Sequence, residues 1–400
     1  MRSFVSSLCI GLFAAAALAQ APDPGKFAPI KDRFDKFVAD KEVAGAVVMV
    51  GRKGGIEYVG TSGLADIDKK IPMKPDTVFR IASMTKPITA VAIMILQDEG
   101  KLSVDDPVEK HLPDFKGQRL VASKDGDTVT LKKPARAILI RDLLTHTSGL
   151  PGNYPPGMAD VYTKRNRTLN ETTIAISQQP LNFEPGSKWS YCNAGIDTLG
   201  RIIEVTSGMG YEAFLQKRIF EPLGMTETTP YPSKELLART AVTYSRAKDG
   251  PLVPIKDTLL DLPAEPKHPV PAGGLYSTAA DLSKVYRMML NRGELDGKRV
   301  LSEAAVKQMT TTQTGDIETG FTKGASFGFG WCVLKTPQGV TEAASPGTYG
   351  HGGAFGTQAW IDPSRDFFTI LLIQRSNTPG GDGSDMRKAL QDLTIQALKK

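Results

Sequence analysis

Cysteine and histidine are scarce in this chain, which has 3 Cys and 4 His among 400 residues. So few cysteines exclude a disulfide-stapled scaffold. No Cys-x-x-Cys pair exists, and His111, His146, His268 and His351 lack zinc-ligand spacing, so the sequence offers no metal centre and calls for no cofactor. No apolar run reaches the roughly 18 residues of a membrane-spanning helix, and no block of five or six like charges occurs. The excess of 49 Lys+Arg over 43 Asp+Glu is scattered, which bears on solubility and gives no support to nucleic-acid binding. Internal repeats and low-complexity tracts are also missing. What remains, 40% hydrophobic and 23% charged residues with 39 Gly and 27 Pro, is ordinary globular composition. At roughly 100–200 residues per domain, the length allows about two to four units, or one large enzyme domain with an insertion.

The N-terminus has a short positive start, Met1-Arg2, an apolar stretch from Leu8 to Ala17, and the small-residue pattern Ala17-Leu18-Ala19 before Gln20. The stretch is too short to cross about 30 Å of hydrocarbon. It predicts a cleaved secretory signal over residues 1–19, a linker over 20–29, a secreted or periplasmic mature protein, and no integral membrane segment after cleavage. Cys9 lacks the small residues that precede a lipidated cysteine. Cleavage leaves Cys192 and Cys332, and whether they pair is open.

Helical spacing from Ile30 to Val43 is followed by an apolar strand, Ala44 to Gly51, a Gly54-Gly55 turn and a second strand from Ile56 to Gly60. A consecutive antiparallel pair argues against a doubly wound parallel sheet. Val78, Ile81, Ile88, Val91, Ala92, Ile95 and Leu96 then form one helical stripe ending at Gly100, with Pro87 confined to the first turn. From Leu102 to about Pro266, helical patterns such as 196–203 and 211–220 alternate with Pro/Gly-rich loops. Beyond Pro271 come a helix from about Ala279 to Asn291, strand-like runs over 326–334, 358–362 and 367–374, and a closing helix from Met386 to Lys399. The expected fold is α/β (α+β): an antiparallel sheet flanked by helices, from about 30–80 and 267–395, with a mostly helical part of about 81–266 inserted.

Three segments carry candidate chemistry. In Ser83-Met84-Thr85-Lys86 the spacing puts the Lys86 amine on the face of the Ser83 hydroxyl. A serine attacks only when a base takes its proton, and an amine serves when burial or nearby charge lowers its pKa. The helix start also aims free N–H groups at any oxyanion formed there. Tyr191-Cys192-Asn193 precedes another helix, and offers a phenol that passes a proton and an amide that both donates and accepts. Tyr349-Gly350-His351-Gly352-Gly353-Ala354 leads into the strand at Gln358, and its glycines suit a strand edge that lines a cleft. Each segment alone reads equally well as a cap, a packing tyrosine or a glycine turn.

Together, in this order, the three segments resemble the penicillin-recognising serine hydrolases: class C β-lactamases, D,D-peptidases, D-aminopeptidases and the β-lactamase-like family VIII esterases. Ile140 to Pro151, Phe183 to Asn193, Ile219 to Met225 and Pro271 to Asp281 also resemble that family, so the similarity covers roughly residues 30 to 395 and implies one catalytic domain with that fold. The resemblance implies Ser83 as acylated nucleophile, Lys86 and Tyr191 as proton-transfer pair, Asn193 as the group orienting Lys86 and substrate, and backbone N–H groups of Ser83 and Ala354 as oxyanion hole. It places Asn153 against the acyl amide, and treats His146 and Asp142 as scaffold. No Gly-x-Ser-x-Gly elbow points to an α/β-hydrolase. One departure matters: β-lactamases usually carry Lys-Thr-Gly at the third segment, to hold a substrate carboxylate, whereas His351-Gly352-Gly353 brings no hydroxyl and an ordinary histidine is mostly neutral at pH 7. The implied activity is therefore an esterase or amidase on small acyl substrates. The alternatives are a D,D-peptidase, D-aminopeptidase or weak β-lactamase, or a non-catalytic penicillin-binding or sensor module. Pocket shape is expected from the loops between Gly152 and Leu181 and between Thr229 and Pro271.

Overall fold

The computed structural model describes residues 24–399 apart from 153, 156, 159, 249, 257–260 and 321. The expected signal, residues 1–19, lies outside the described residues. A 3-10 turn, Pro24–Phe27, runs into helix α1 (Ala28–Ala39), so helical structure begins inside the stretch expected as linker. Pro29 fits the first turn of α1, where its missing N–H would have had no partner.

Strand β1 (Gly45–Arg52) is buried on both faces, which explains its unbroken apolar run. Val47 and Met49 face one core, while Ala46, Val48 and Val50 face another. β1 pairs with β2 (Gly55–Asp66), whose far side takes the short β3 (Ile71–Pro72). Between these strands and the rest of the sheet lie helices α2 (Thr85–Asp98), α3 (Leu169–Ser177), α4 (Asn193–Ser207) and α5 (Ala279–Leu290). Strands β4 (Ala325–Phe327), β5 (Cys332–Leu334), β6 (Tyr349–Gly352), β7 (Gln358–Asp362) and β8 (Phe367–Leu372) follow, and helix α6 (Asp385–Lys399) closes the chain.

The sheet has eight strands in the order β4-β5-β6-β7-β8-β1-β2-β3, every neighbouring pair antiparallel. The late strand β8 therefore pairs with the early β1, with Val47 opposite Leu372 and Val50 opposite Thr369. α1, the turn before it and α6 cover one face through Phe27, Ile30, Phe34, Met386 and Leu390. α5 packs on β1 and β8 from the other side. Each large apolar side chain so buried contributes about 1.5–3 kcal/mol, and truncating one such as Ile370 to Ala costs roughly 2–5 kcal/mol. Within 81–266, helices share the space with two small hairpins, Leu120–Asp125 with Thr128–Lys132 and Tyr244–Arg246 with Leu252–Pro254.

Two sequence expectations are corrected. Val78 and Ile81 precede the helix: Phe79–Arg80 pairs as a strand with Tyr276–Ser277, and α2 starts at Thr85, which leaves Pro87 in its first turn. The break falls at Ala82, whose φ of +48° no helix continues through. The run 326–334 is a hairpin of β4 and β5 rather than one strand, because Gly330, at φ +77°, turns the chain.

Candidate active site

Ser83 sits in a 3-10 turn (Ala82–Met84) that feeds α2. The turn is clamped on both sides: Ile81 N–H donates to Leu275 O at 3.0 Å, and Thr357 Oγ1 donates to Ile81 O at 3.0 Å. These bonds hold Ala82 in a left-handed conformation that costs an L-residue roughly 1–2 kcal/mol. Strain of this kind persists only where the surroundings over-determine it. α2 is buried all round from Thr85 to Leu96, so Lys86, one residue into the helix, is only 1% exposed.

The Lys86 amine donates to Ser83 Oγ at 3.0 Å and to Ala272 O at 2.6 Å. Burial pushes its pKa down to about 7, partly opposed by the negative potential of Asp197, the Cys192 thiol and Asp382. The amine also lies 4.6 Å from the centre of the Tyr191 ring. The Tyr191 hydroxyl shares a hydrogen bond with Ser83, and burial drives its pKa far above that of an ordinary phenol, so it stays protonated. Serine, lysine and tyrosine thus converge with polar atoms in one chain of contacts.

Tyr191 is positioned by His146. The His146 ring packs 4.6 Å from the Tyr191 ring, its Nδ1 accepts from Cys192 N–H at 3.2 Å, and its own carbonyl accepts from Ser190 N–H. Burial holds His146 neutral by lowering its pKa, with the nearby Lys86 acting the same way. Asp142 accepts from both Arg136 terminal nitrogens, at 2.6 and 2.9 Å, and from Leu139 N–H, so it braces the loop and not the imidazole. Cys192 caps α4, its Sγ accepting from Gly195 N–H at 3.3 Å, and its buried thiol is pushed up to about 12. Cys192 and Cys332 are both free, which answers the question of their pairing.

The sheet side supplies the opposite wall. His351, on β6, is buried, contacts Gly352 O through Nδ1 at 2.6 Å, and has its pKa pushed down to about 3, first by burial and then by Lys86. It is neutral at physiological pH. Gly353 is required by close approach: a Cβ there would lie 2.2 Å from Thr357 Oγ1 and 2.5 Å from Ile81 O. That contact joins the sheet to the serine-bearing turn.

Two pockets meet at Ser83 and Ala354. One, of about 370 Å³, is lined by Tyr191, His351, Asn377, Thr378 and Asp382 among others. The other, of about 260 Å³, is walled mainly by Ala82, Tyr162, Ile255, Val270 and Phe355. Asn193 borders the second pocket and makes no hydrogen bond to Lys86, whose amine is steered by the Ala272 carbonyl instead. Asn153 lies outside the described residues. Tyr162, Ile255 and Val270 come from the two loops expected to shape the pocket.

Sequence reasoning passed over Asp197. Fully buried on α4, it accepts from the hydroxyls of Tyr154 and Tyr162 at 2.5 Å each and from Ala272 N–H at 3.0 Å, and so fixes the residue whose carbonyl holds Lys86. Burial raises its pKa to about 6. The signal was present: a lone acid one turn beyond Asn193, among Ile196, Leu199 and Ile202. Asp382, in a glycine-rich segment outside any periodic pattern, offered no such signal. Among the described residues no cluster of three His, Cys, Asp or Glu is placed to hold a metal, and no helix is long and apolar enough to cross a membrane.

Comparison with known proteins agrees with this geometry. The family model described as Beta-lactamase matches residues 30–393. Esterase EstB of Burkholderia gladioli is 31% identical over 366 residues, covering 85% of this chain and 88% of its own. Penicillin-binding protein 4 of Amycolatopsis lactamdurans is 31% identical over 331 residues, covering 82% and 79%. Among solved structures, EstCE1, a hydrolase with promiscuous acyltransferase activity, superposes with a TM-score of 0.75 at 26% identity, covering 92% of this chain and 98% of its own. A serine and a lowered-pKa lysine at the start of a buried helix, facing a glycine-rich strand edge, occur here in a chain that belongs to the beta-lactamase family of serine hydrolases.

Proposed function

We propose that this protein is a secreted or periplasmic esterase or amidase that cleaves small acyl substrates through an acyl-enzyme on Ser83. The observation that carries the reading is the Lys86 amine, 3.0 Å from Ser83 Oγ with a pKa brought to about 7 by burial. Near neutral pH a large share of that amine is free to accept a proton, as a general base must be. Lys86 takes the Ser83 proton as Oγ attacks the substrate carbonyl. The tetrahedral oxyanion turns toward the backbone N–H groups of Ser83 and Ala354, which border both pockets. On collapse the bond to the leaving group breaks, and the leaving atom takes a proton from the Tyr191 hydroxyl, which regains one from the Lys86 ammonium. Water repeats the sequence on the acyl-enzyme and releases the acid. Similarity to an esterase over most of both chains supports ester cleavage, and the 260 Å³ apolar pocket suits a short acyl chain.

Purified protein should hydrolyse p-nitrophenyl butyrate with repeated turnover, and Ser83→Ala should abolish it; full activity in that variant would refute the mechanism. A stoichiometric burst without turnover would point to a binding or sensor module. Similarity to a penicillin-binding protein favours a second reading, a D,D-peptidase or weak β-lactamase. Absence of labelling by a fluorescent penicillin together with no cephalosporin turnover would remove it. Export is supported by the pattern of residues 1–19, and N-terminal sequencing of the mature protein should read from Gln20.

A further inference from the structure

The two pockets at Ser83 differ in more than polarity, and the difference assigns their occupants. Tyr191 lines the 370 Å³ pocket and not the 260 Å³ one. If Tyr191 returns a proton to the leaving group, as the proposed acyl-enzyme mechanism requires, the leaving group lies in the larger pocket and the acyl chain in the apolar one. The wall of the larger pocket carries the Asp382 carboxylate, and none of its described lining residues is Lys or Arg. His351, in the same wall, is neutral.

Asp382 is built into this position. It lies on a short 3-10 turn, Gly381–Gly383, beside β6. Gln358 Nε2 donates to Oδ1 at 3.1 Å, and the described side chains hydrogen-bond only to that oxygen. A Cβ at Gly352 would fall 1.8 Å from Oδ1, so this glycine leaves the room that the carboxylate occupies against the strand. The nearby cation, Arg387, sits behind the turn: it is 1% exposed, stacks 3.5 Å from the Trp360 ring centre, and donates to the backbone carbonyl of Asp382 at 2.8 Å. No ion pair within 4 Å joins the two side chains among the described residues, and the Arg387 charge offsets part of the effect of burial on the Asp382 carboxyl. The negative end of this arrangement faces the pocket and the positive end faces the core.

We infer that Asp382 is a specificity-determining residue that selects substrates whose leaving group carries a positive charge, such as an ammonium alcohol or amine, and disfavours leaving groups bearing a carboxylate. A cation in the pocket gains from the carboxylate at short range, whereas an anion meets like charge with no Lys or Arg among the described lining residues to offset it. Burial raises the pKa of Asp382, so a bound cation also favours the ionised form that burial opposes. The inference rests on the serine-hydrolase reading only for the identity of the occupant; the charge preference belongs to the pocket itself.

The test compares three butyrate esters of similar size, with a trimethylammonioethyl, a 3,3-dimethylbutyl and a 2-carboxyethyl leaving group, on wild type and Asp382→Asn. The wild-type kcat/KM for the cationic ester should exceed that for its neutral isostere by about tenfold, the equivalent of roughly 1.4 kcal/mol, with the anionic ester slowest. In Asp382→Asn the cationic-to-neutral ratio should fall close to one. The ratio is internal to each variant, so a general loss of activity leaves it readable. Calorimetric binding of the three free alcohols to wild type reads the same preference without catalysis and without a variant that must fold. Equal binding of the three alcohols, or an unchanged ratio in Asp382→Asn, would overturn the inference. Preferential binding of the cation with no hydrolysis of any ester would uphold the inference while refuting the serine-hydrolase reading.

Discussion

The helical wall of the cleft contributes functional groups, the Ser83 hydroxyl, the Lys86 amine and the Tyr191 phenol, whereas the sheet wall contributes chiefly backbone and space through His351-Gly352-Gly353-Ala354. On the first wall the proposed chemistry depends on the identity of each atom, and the surrounding apolar helix lowers the pKa of the lysine by keeping water from it. On the second wall the absence of atoms decides the geometry. Gly353 lets the strand edge reach the Ile81 carbonyl, and Gly352 makes room for Asp382. Substitutions of the helical-wall functional groups should therefore remove catalysis and leave the fold, while a side chain added at the sheet-wall glycines should damage both together.

The largest effect is expected at Ser83. Ser83→Ala should lower kcat on p-nitrophenyl butyrate by on the order of 10⁴-fold or more, as for members of other catalytic units, while the melting temperature stays close to wild type. Next comes Gly353→Ala, whose new Cβ would meet Thr357 Oγ1 and Ile81 O at 2.2 and 2.5 Å. Overpacking of this kind costs about 1–3 kcal/mol, and a shift near 1 Å in the serine-bearing turn costs about 100-fold in rate. Calorimetry and kinetics should show both losses at once; a normal melting temperature with normal activity would erase the distinction between the walls.

A subtler effect concerns Asp197. Its charge raises the pKa of Lys86, so Asp197→Asn should move the acid limb of kcat/KM, centred near pH 7 in wild type, to lower pH. The sign follows from the role: the base works when unprotonated, so activity rises as pH passes upward through its pKa. A limb that moves upward, or stays in place, would disconnect Asp197 from Lys86. The smallest effect is expected for His351→Asn. That ring is neutral and its Nδ1 contacts the Gly352 carbonyl, so it carries no proton in the proposed sequence, and the variant should lose less than about tenfold and keep the wild-type pH limb.

How far the sequence foretold the cleft follows the same division. The hairpin of β1 and β2 and the terminal helices were legible because apolar periodicity records burial directly. Ser83, Lys86 and Tyr191 were legible because their spacing and order resemble a known family. The start of α2 was misplaced by several residues, since Val78 and Ile81 are buried on either side of a strand, Phe79–Arg80, whose partner, Tyr276–Ser277, lies far along the chain. The Ala272 carbonyl that steers Lys86 is backbone, which leaves no mark on residue identity. Asp382 reaches the cleft only because β6 and the turn at 381–383 are brought together by the sheet and α6. Sequence spacing records neighbours on one element well; it says little about which distant loop closes a pocket.

That Ser83 is activated by a lysine left unprotonated near neutral pH through burial is tested most directly by covalent labelling across pH. Intact-mass spectrometry after reaction with a p-nitrophenyl alkylphosphonate, followed by peptide mapping, gives the site and the rate together. One adduct is expected, on Ser83, forming at a rate that rises through pH 7 and levels off above it. A label on another residue, or a rate that begins to rise only near the pKa of an ordinary lysine, about 10.4, would contradict it.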